Sequence, residues 1–275
     1  MIDLLTRYQT FRARAMERLD GPDGWLWFAQ RAAERDFPHP TITQVGLAED
    51  MFLAVNPSHY FSTGRSAVLA IRSGLRRCDI AFDSVKRILD VPCGSGRVMR
   101  MIKVLWPEAQ LAACDINQEG VDFCSRVFGA TPIYSRNPIT EVTTDGQFDL
   151  VWVGSLLTHL DEDRWPEMLG WFRDQLRPGG ALIFTTQSEG GMDMIFNEDD
   201  YHLAPEGLVQ VVSGYRESGF GYSDYPNVTG YGISLVTPER VQFHVEKVGG
   251  LEYVYTAERG WDGHQDVTTC VRSDT

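Results

Sequence analysis

Between residues 85 and 186, five short apolar runs alternate with amphipathic helical stretches, and that alternation constrains the fold more than any other feature. Residues 85–91 (VKRILDV), 110–114, 132–134, 148–153 and 181–186 read as strands. Helices are expected over 97–106, 120–128 and 162–176; in the last, Trp165, Met168, Leu169, Phe172 and Leu176 share one face. Strands linked through helices build right-handed βαβ units and a mostly parallel sheet, because a twisted strand and a right-handed helix pack back onto one sheet only that way.

The flanks have a different character. Residues 3–19 put Leu4, Tyr8, Phe11, Ala15 and Leu19 on one helical face, GPDG at 21–24 breaks it, and WLWFAQRAAERDF opens a second helix. A short helix is expected over 48–55, and Ala67, Val68, Ile71 and Leu75 mark another. Residues 1–80 therefore read as a helical arm or cap and 81–187 as the core. Residues 188–236, rich in Gly and Tyr with one helix near 205–217, read as a lid insertion. Residues 237–275 complete the core: Thr237-Pro-Glu-Arg opens a helix that stops at Gly249-Gly250, and strands follow at 251–256 and 266–271.

Composition excludes several classes. With 25 Lys and Arg against 38 Asp and Glu, the net charge is −13. Phosphate backbones are gripped by clustered cations, so no nucleic-acid partner is expected. The five cysteines form no C-x-x-C pair, which leaves reduced thiols and no zinc or redox motif. In Asn197-Glu-Asp-Asp200 adjacent acids point apart, so no metal site is expected there even with His202 nearby. No apolar run reaches the ~20 residues that cross a bilayer, and residues 1–19 lack a signal-peptide core. A cytoplasmic protein without membrane association is expected.

The chemistry concentrates in RILDVPCGSGRVMRMI, residues 87–102, where a strand ends at Asp90, a glycine turn follows and a helix begins. Glycines there let a ligand approach the backbone. Asp115, at the end of the next strand, is placed to grip ribose hydroxyls. Two ligand classes use such a turn. A dinucleotide fingerprint needs a small third residue, and Gly94-Ser-Gly96-Arg-Val-Met99 offers a bulky Met99. The other pattern, Asp90-x-x-x-Gly94-x-Gly96, resembles the first motif of class I S-adenosylmethionine-dependent methyltransferases, with Pro92 in place of its first glycine. FDLVWVGSLLTHL at 148–160 resembles that family's fourth-strand motif, LRPGGALIF at 176–184 its lead into the fifth strand, and the last helix and two strands its terminal hairpin. HYFSTGRSA, PCGSGR, WVGSLLTHLDEDRW, YGISLVTPE and GWDGHQDV resemble, more narrowly, a bacterial subgroup of these methyltransferases, members of which occur alongside glycosyltransferases.

The resemblance implies an α/β, Rossmann-like seven-stranded sheet, mostly parallel with an antiparallel terminal strand, and S-adenosyl-L-methionine as cofactor. Within the Asp90–Pro92 loop and beyond, Cys93, Gly94, Ser95 and Gly96 would line the methionine part. Asp115 would take the ribose hydroxyls and Ile116 would pack on adenine, edged by Ser135, Arg136 and Asn137. Val153, Gly154 and Ser155 would lie beneath the sulfonium, and Tyr60 and Gly64 would close over the carboxylate, unless Tyr60 is a packing aromatic. The implied activity is methyl transfer to a small-molecule or sugar acceptor, with oxygen as the expected atom. A cofactor-binding scaffold without transfer and an NAD-linked oxidoreductase are the alternatives.

A protonated nucleophile needs a base, and histidine suits that role near neutral pH. His159 and His264 follow strand ends on the ligand face of such a sheet and are the candidates. Tyr222 and Tyr231 in the insert, with Trp261 and Asp262 in the last turn, are expected to meet the acceptor. Tyrosines serve a dimer interface equally well, so a homodimer stays open.

Overall fold

A strand apolar at every position belongs in the middle of a sheet, covered on both faces. Phe148–Val153 is such a strand, buried at all of its positions. The computed structural model describes residues 44–46, 57–197 and 201–273, all within the unit Ile42–Thr275. The helices expected over 3–19, 25–37 and 48–55 lie outside the described residues, as do the acids at 198–200.

The sheet has seven strands: β1 (Arg87–Asp90), β2 (Gln110–Asp115), β3 (Thr131–Tyr134), β4 (Phe148–Val153), β5 (Leu176–Thr186), then the distant β8 (Leu251–Trp261) and β9 (Gln265–Arg272). Their spatial order is β3-β2-β1-β4-β5-β9-β8. β1 to β5 pair in parallel, β9 runs antiparallel to β5, and β8 antiparallel to β9. This is the Rossmann-like methyltransferase sheet. The chain leaves β1 toward β3 and returns to β4 on the other side, so a crevice opens at the carboxyl ends of β1 and β4. Thr186 at the end of β5 faces Asp266 near the start of β9, which brings the turn between β8 and β9 to that same edge.

Helices α1 (Pro57–Arg77), α2 (Met99–Leu105), α3 (Gln118–Phe128), α4 (Trp165–Gln175) and α7 (Pro238–Val248) cover the sheet. Side-chain alternation along β1 and β4 splits the core: Leu89, Val151, Val153 and Phe184 join Trp165, Leu169, Phe172 and Val245 in one cluster. On the opposite face Gly74 of α1 approaches the sheet so closely that a Cβ would lie 2.8 Å from Ile183 Cδ1. No helix among the described residues is long and apolar enough to cross a membrane.

Three boundaries differ from the sequence reading. β5 begins at Leu176 rather than 181, because Pro178-Gly179-Gly180 form a bulge within it, marked by a register shift against Phe148 and Leu150. α2 begins at Met99, since residues 97–98 still belong to the glycine turn. β8 continues to Trp261 through a second register shift. The insert also holds more regular structure than expected: α5 (Glu189–Phe196), α6 (Pro205–Ser218) and an antiparallel hairpin of β6 (Phe220–Asp224) and β7 (Gly232–Val236). The insert has a small core of its own around Met192, Val211, Ile233 and Leu235.

The lead into α4 is tied to α7 by a single carboxylate. Glu162 accepts hydrogen bonds from Arg240 Nε and, at 2.6 Å, from His244 Nε2. Burial works to raise its pKa, but these two partners outweigh it and hold Glu162 below the ordinary glutamate range. A depressed carboxyl contributes stability above its unfolded pKa, near ~4.3, and loses it as pH falls through the folded value. Glu162→Ala should therefore destabilise the protein by about 1–3 kcal/mol near neutral pH. The difference from wild type should shrink on acidification below about pH 4. Denaturant melts across pH check this; a difference constant from pH 7 to pH 3 would refute the assignment.

Candidate active site

The site is built on the turn between β1 and α2. Gly94 and Gly96 take φ of +48° and +77°, the left-handed region that glycine enters without strain. Asp115, at the end of β2, fixes that turn: its Oδ2 accepts from Gly94 N at 2.7 Å and its Oδ1 from Asn117 N at 2.9 Å. A Cβ at Gly120 would lie 2.5 Å from Gly94 O, so the start of α3 can press on the turn only without a side chain. On its open side a Cβ at Gly94 would meet nothing within 4 Å. Among the described residues, the backbone there faces free space.

Asp90 lies beside this turn, and its Oδ2 is buried with no hydrogen-bond partner. Burial, and then the charge of Asp115, push its carboxyl well above the usual range. Cys93 and Gly96 are buried in the turn, Ser95 nearly so, and Pro92 is half-buried. Cys93 N donates to Cys114 O, which locks the turn to β2. Next to Asp115 stands Ile116, an apolar side chain left 71% exposed. Ser135 N donates to Asp115 O at 2.8 Å, so the segment after β3 borders the same edge. Within it Arg136 is exposed, 4.0 Å from Glu141, and Asn137 accepts from Arg164.

Tyr60 and Gly64 are closely packed. Tyr60 is only 1% exposed, and its hydroxyl accepts from Arg100 Nη2 at 3.3 Å. The fully buried Arg100 also donates to Gly96 O and Gln44 O. At Gly64 a Cβ would lie 2.3 Å from Arg97 O. Both residues serve the packing of α1 against the glycine turn.

After β4 the backbone turns sharply. Val153 is fully buried, Gly154 fits against the Trp152 ring, and Ser155 adopts φ +56°. That conformation is costly for a serine, and a compact network maintains it. Ser155 N donates to Thr185 Oγ1 at 2.8 Å, and Ser155 Oγ accepts from Gln265 Nε2 at 3.1 Å. Thr185 Oγ1 in turn donates to Gln265 Oε1 at 2.6 Å. Sequence reasoning missed Thr185, whose only signal was placement at the end of β5, and read Gln265 as facing the acceptor rather than as a support of Ser155.

His159 lies in a 3-10 turn, Leu157–His159, between β4 and α4, which begins at Trp165. Its Nδ1 is 2.8 Å from Gly232 O. A carbonyl can only accept, so Nδ1 carries the hydrogen and Nε2 keeps a lone pair in the neutral ring. Burial outweighs that bond and lowers the His159 pKa, which favours the neutral form. Tyr231 stacks on the ring at 4.9 Å between centroids, and the Tyr225 hydroxyl lies 3.2 Å from Nδ1.

The β8–β9 turn is differently arranged. Trp261 is 2% exposed, packs edge-on to Trp152 and donates from Nε1 to Thr63 O. It therefore anchors the turn to α1, contrary to the expectation that it meets an acceptor. Asp262 Oδ2 lies 3.1 Å from His59 Nε2, and His264 Nδ1 lies 3.2 Å from Asp262 O. His264 thus braces its own turn, apart from His159. Tyr222 donates to Asp224 and packs against the main core.

Comparison with known proteins agrees with this geometry. A family model described as a methyltransferase domain matches residues 88–180. A malonyl-[acyl-carrier protein] O-methyltransferase from Herminiimonas arsenicoxydans is 28% identical over 142 residues, 48% of this chain and 52% of that protein. The chain thus spans about half the length of that curated relative. A sugar N-methyltransferase from a Streptoalloteichus species is similar in structure over 84% of this chain and 95% of its own, with 16% identity and a TM-score of 0.56. A methyltransferase from Clostridium acetobutylicum is similar over 82% and 96%, with 14% identity and a TM-score of 0.52. These two structures share the fold. The match over residues 88–180 shows a methyltransferase domain there, and the strand order and the Asp90–Gly96 turn are similar to those expected of S-adenosylmethionine-dependent methyltransferases.

Proposed function

We propose that this chain transfers a methyl group from S-adenosyl-L-methionine to a small-molecule or sugar acceptor, with oxygen as the receiving atom. The observation that carries the reading is the pair of carboxylates at the glycine turn. Asp115 is held by two backbone amides, yet each oxygen keeps a second lone pair for a ribose hydroxyl. Asp90 offers an orphaned buried oxygen where a cationic amino group would restore its partner and favour its charged form. Exposed Ile116 supplies an apolar seat for adenine. The residues present fit a cofactor that carries an ammonium and a sulfonium. They do not suit a pyrophosphate, which two acids repel, and Met99 is buried where a dinucleotide fingerprint wants a small residue. The NAD-linked alternative therefore loses ground.

When bound, the cofactor supplies a methyl group already activated for in-line displacement, so alignment accounts for much of the rate. This chain's part is to orient, to exclude water and to accept a proton. Ser155 and the Thr185–Gln265 pair fix the backbone at the end of β4, and the insert walls the acceptor side. His159, neutral and protonated at Nδ1, holds its Nε2 lone pair for the acceptor's hydrogen. That arrangement favours transfer over a pure binding scaffold. Relatives named for both oxygen and nitrogen acceptors support a small-molecule methyltransferase, and the expected sugar acceptor accords with one of them.

Asp115→Ala should weaken S-adenosylhomocysteine binding by about 1.5–3 kcal/mol, the loss of hydrogen bonds to a charged acceptor. Calorimetry that shows wild-type affinity would remove Asp115 from the site. For the base, acceptors are first found by S-adenosylhomocysteine release across a panel of sugars and hydroxylated small molecules. His159→Ala should then lower kcat by about a hundredfold or more while S-adenosylhomocysteine still binds. Because burial lowers the His159 pKa, wild-type activity should fall only as pH drops below about 6.5, where the ring takes up its proton. Turnover within threefold of wild type in His159→Ala would exclude it as the base.

A further inference from the structure

Tyr231 is an exposed aromatic ring of the insert that is held by its neighbours. Its ring stacks on His159 with planes 22° apart, and its carbonyl accepts from Tyr225 N at 3.1 Å. The next residue, Gly232, accepts from His159 Nδ1. Ser234, three residues on, donates to Leu157 O at 3.0 Å, so β7 is fastened over the turn that follows β4. Despite these constraints Tyr231 remains 43% exposed. A ring immobilised before any ligand arrives has already lost its rotamer freedom, so a planar partner gains from stacking on it without that entropic cost.

The position of the ring says which partner. The insert leaves the sheet at the end of β5, but its hairpin returns across β4, the neighbour of β1. β2, with Asp115 at its end, is one strand beyond, about 10 Å from β4 at ordinary strand spacing. Burial chiefly, and then the charge of Asp115, raise the pKa of the Tyr231 phenol. The hairpin that carries Tyr231 is thus fastened at the end of β4, two places along the sheet from the strand that ends in the ribose acid.

We infer that Tyr231 is a cofactor-binding residue, covering the nucleoside of S-adenosylmethionine from the insert side, so that the hairpin closes the cofactor cleft as well as walling the acceptor pocket. This rests on the cofactor reading above and revises the expectation that Tyr231 meets the acceptor alone. It also gives the stack a purpose: the ring that covers the cofactor is the one that orients the acceptor's base.

The test needs no acceptor. S-adenosylhomocysteine affinity is measured by calorimetry for wild type, Tyr231→Ala, Tyr231→Phe and, as a surface control in the insert, Phe196→Ala. Tyr231→Ala should bind roughly tenfold more weakly, Tyr231→Phe should keep most of the affinity because the ring matters more than the hydroxyl, and Phe196→Ala should match wild type. Wild-type affinity in Tyr231→Ala would overturn the inference and return Tyr231 to the acceptor. Wild type that does not bind S-adenosylhomocysteine would overturn the cofactor reading itself, and the inference with it. Should Tyr231→Ala fail to fold, hydrogen exchange of wild type decides: added S-adenosylhomocysteine should protect amides over 225–232, and unchanged exchange there would refute the proposal.

Discussion

The hydrogen bond from Gly94 N to the Asp115 carboxylate is the constraint on which the site depends. It joins the end of β2 to a turn that would otherwise be a loose run of small residues. A bond to a charged acceptor contributes about 1.5–3 kcal/mol, and here it is reinforced by the second amide at Asn117. Around it glycines stand where a side chain would collide, at Gly96 with the Phe128 ring and at Gly120 with Gly94 O. From the other side Arg100, buried among Tyr60, Phe61 and Phe128, donates to Gly96 O. The turn is clamped between a carboxylate and a guanidinium.

That clamp sets the electrostatics of the whole cleft. Asp115 is satisfied by backbone amides, whereas Asp90 is buried with an oxygen left over. Two acids so placed resist a third negative charge and reward a positive one. On the acceptor side the polarity is reversed: His159 is kept neutral by burial and held in one tautomer by a backbone carbonyl. In the proposed function the acids would meet the cationic cofactor and the histidine would present its lone pair to the acceptor. The Tyr231 ring stacks on that histidine.

Cooperation between distant segments recurs in the supports. Ser155 owes its left-handed backbone to Thr185 and Gln265, which lie on two other strands. The β8–β9 turn is held by α1 through Trp261 and Thr63, nearly two hundred residues apart in sequence. Glu162 joins the lead into α4 to Arg240 and His244 of α7, 78 and 82 residues away. In each case a polar side chain finds its partner only after the sheet has formed, so these bonds report the fold rather than cause it.

The five parallel strands, the glycine turn and Asp115 were legible in the sequence, because apolar period, glycine and a strand-terminal acid act over a few neighbouring residues. The same local logic found α7 and the strands that close the sheet. It failed for β6 and β7, whose short runs carry little periodic signal and are paired by register with each other. It left Tyr60 and Trp261 open between packing and ligand contact: a sequence shows that an aromatic is present but not which way it faces, and both rings are buried. The tautomer of His159, the orphaned oxygen of Asp90 and the reach of Tyr231 were decided by tertiary structure alone. Each depends on one atom meeting, or missing, a partner supplied by a remote segment, and hydrogen bonding and burial at that range are properties of the packed chain rather than of any stretch of it.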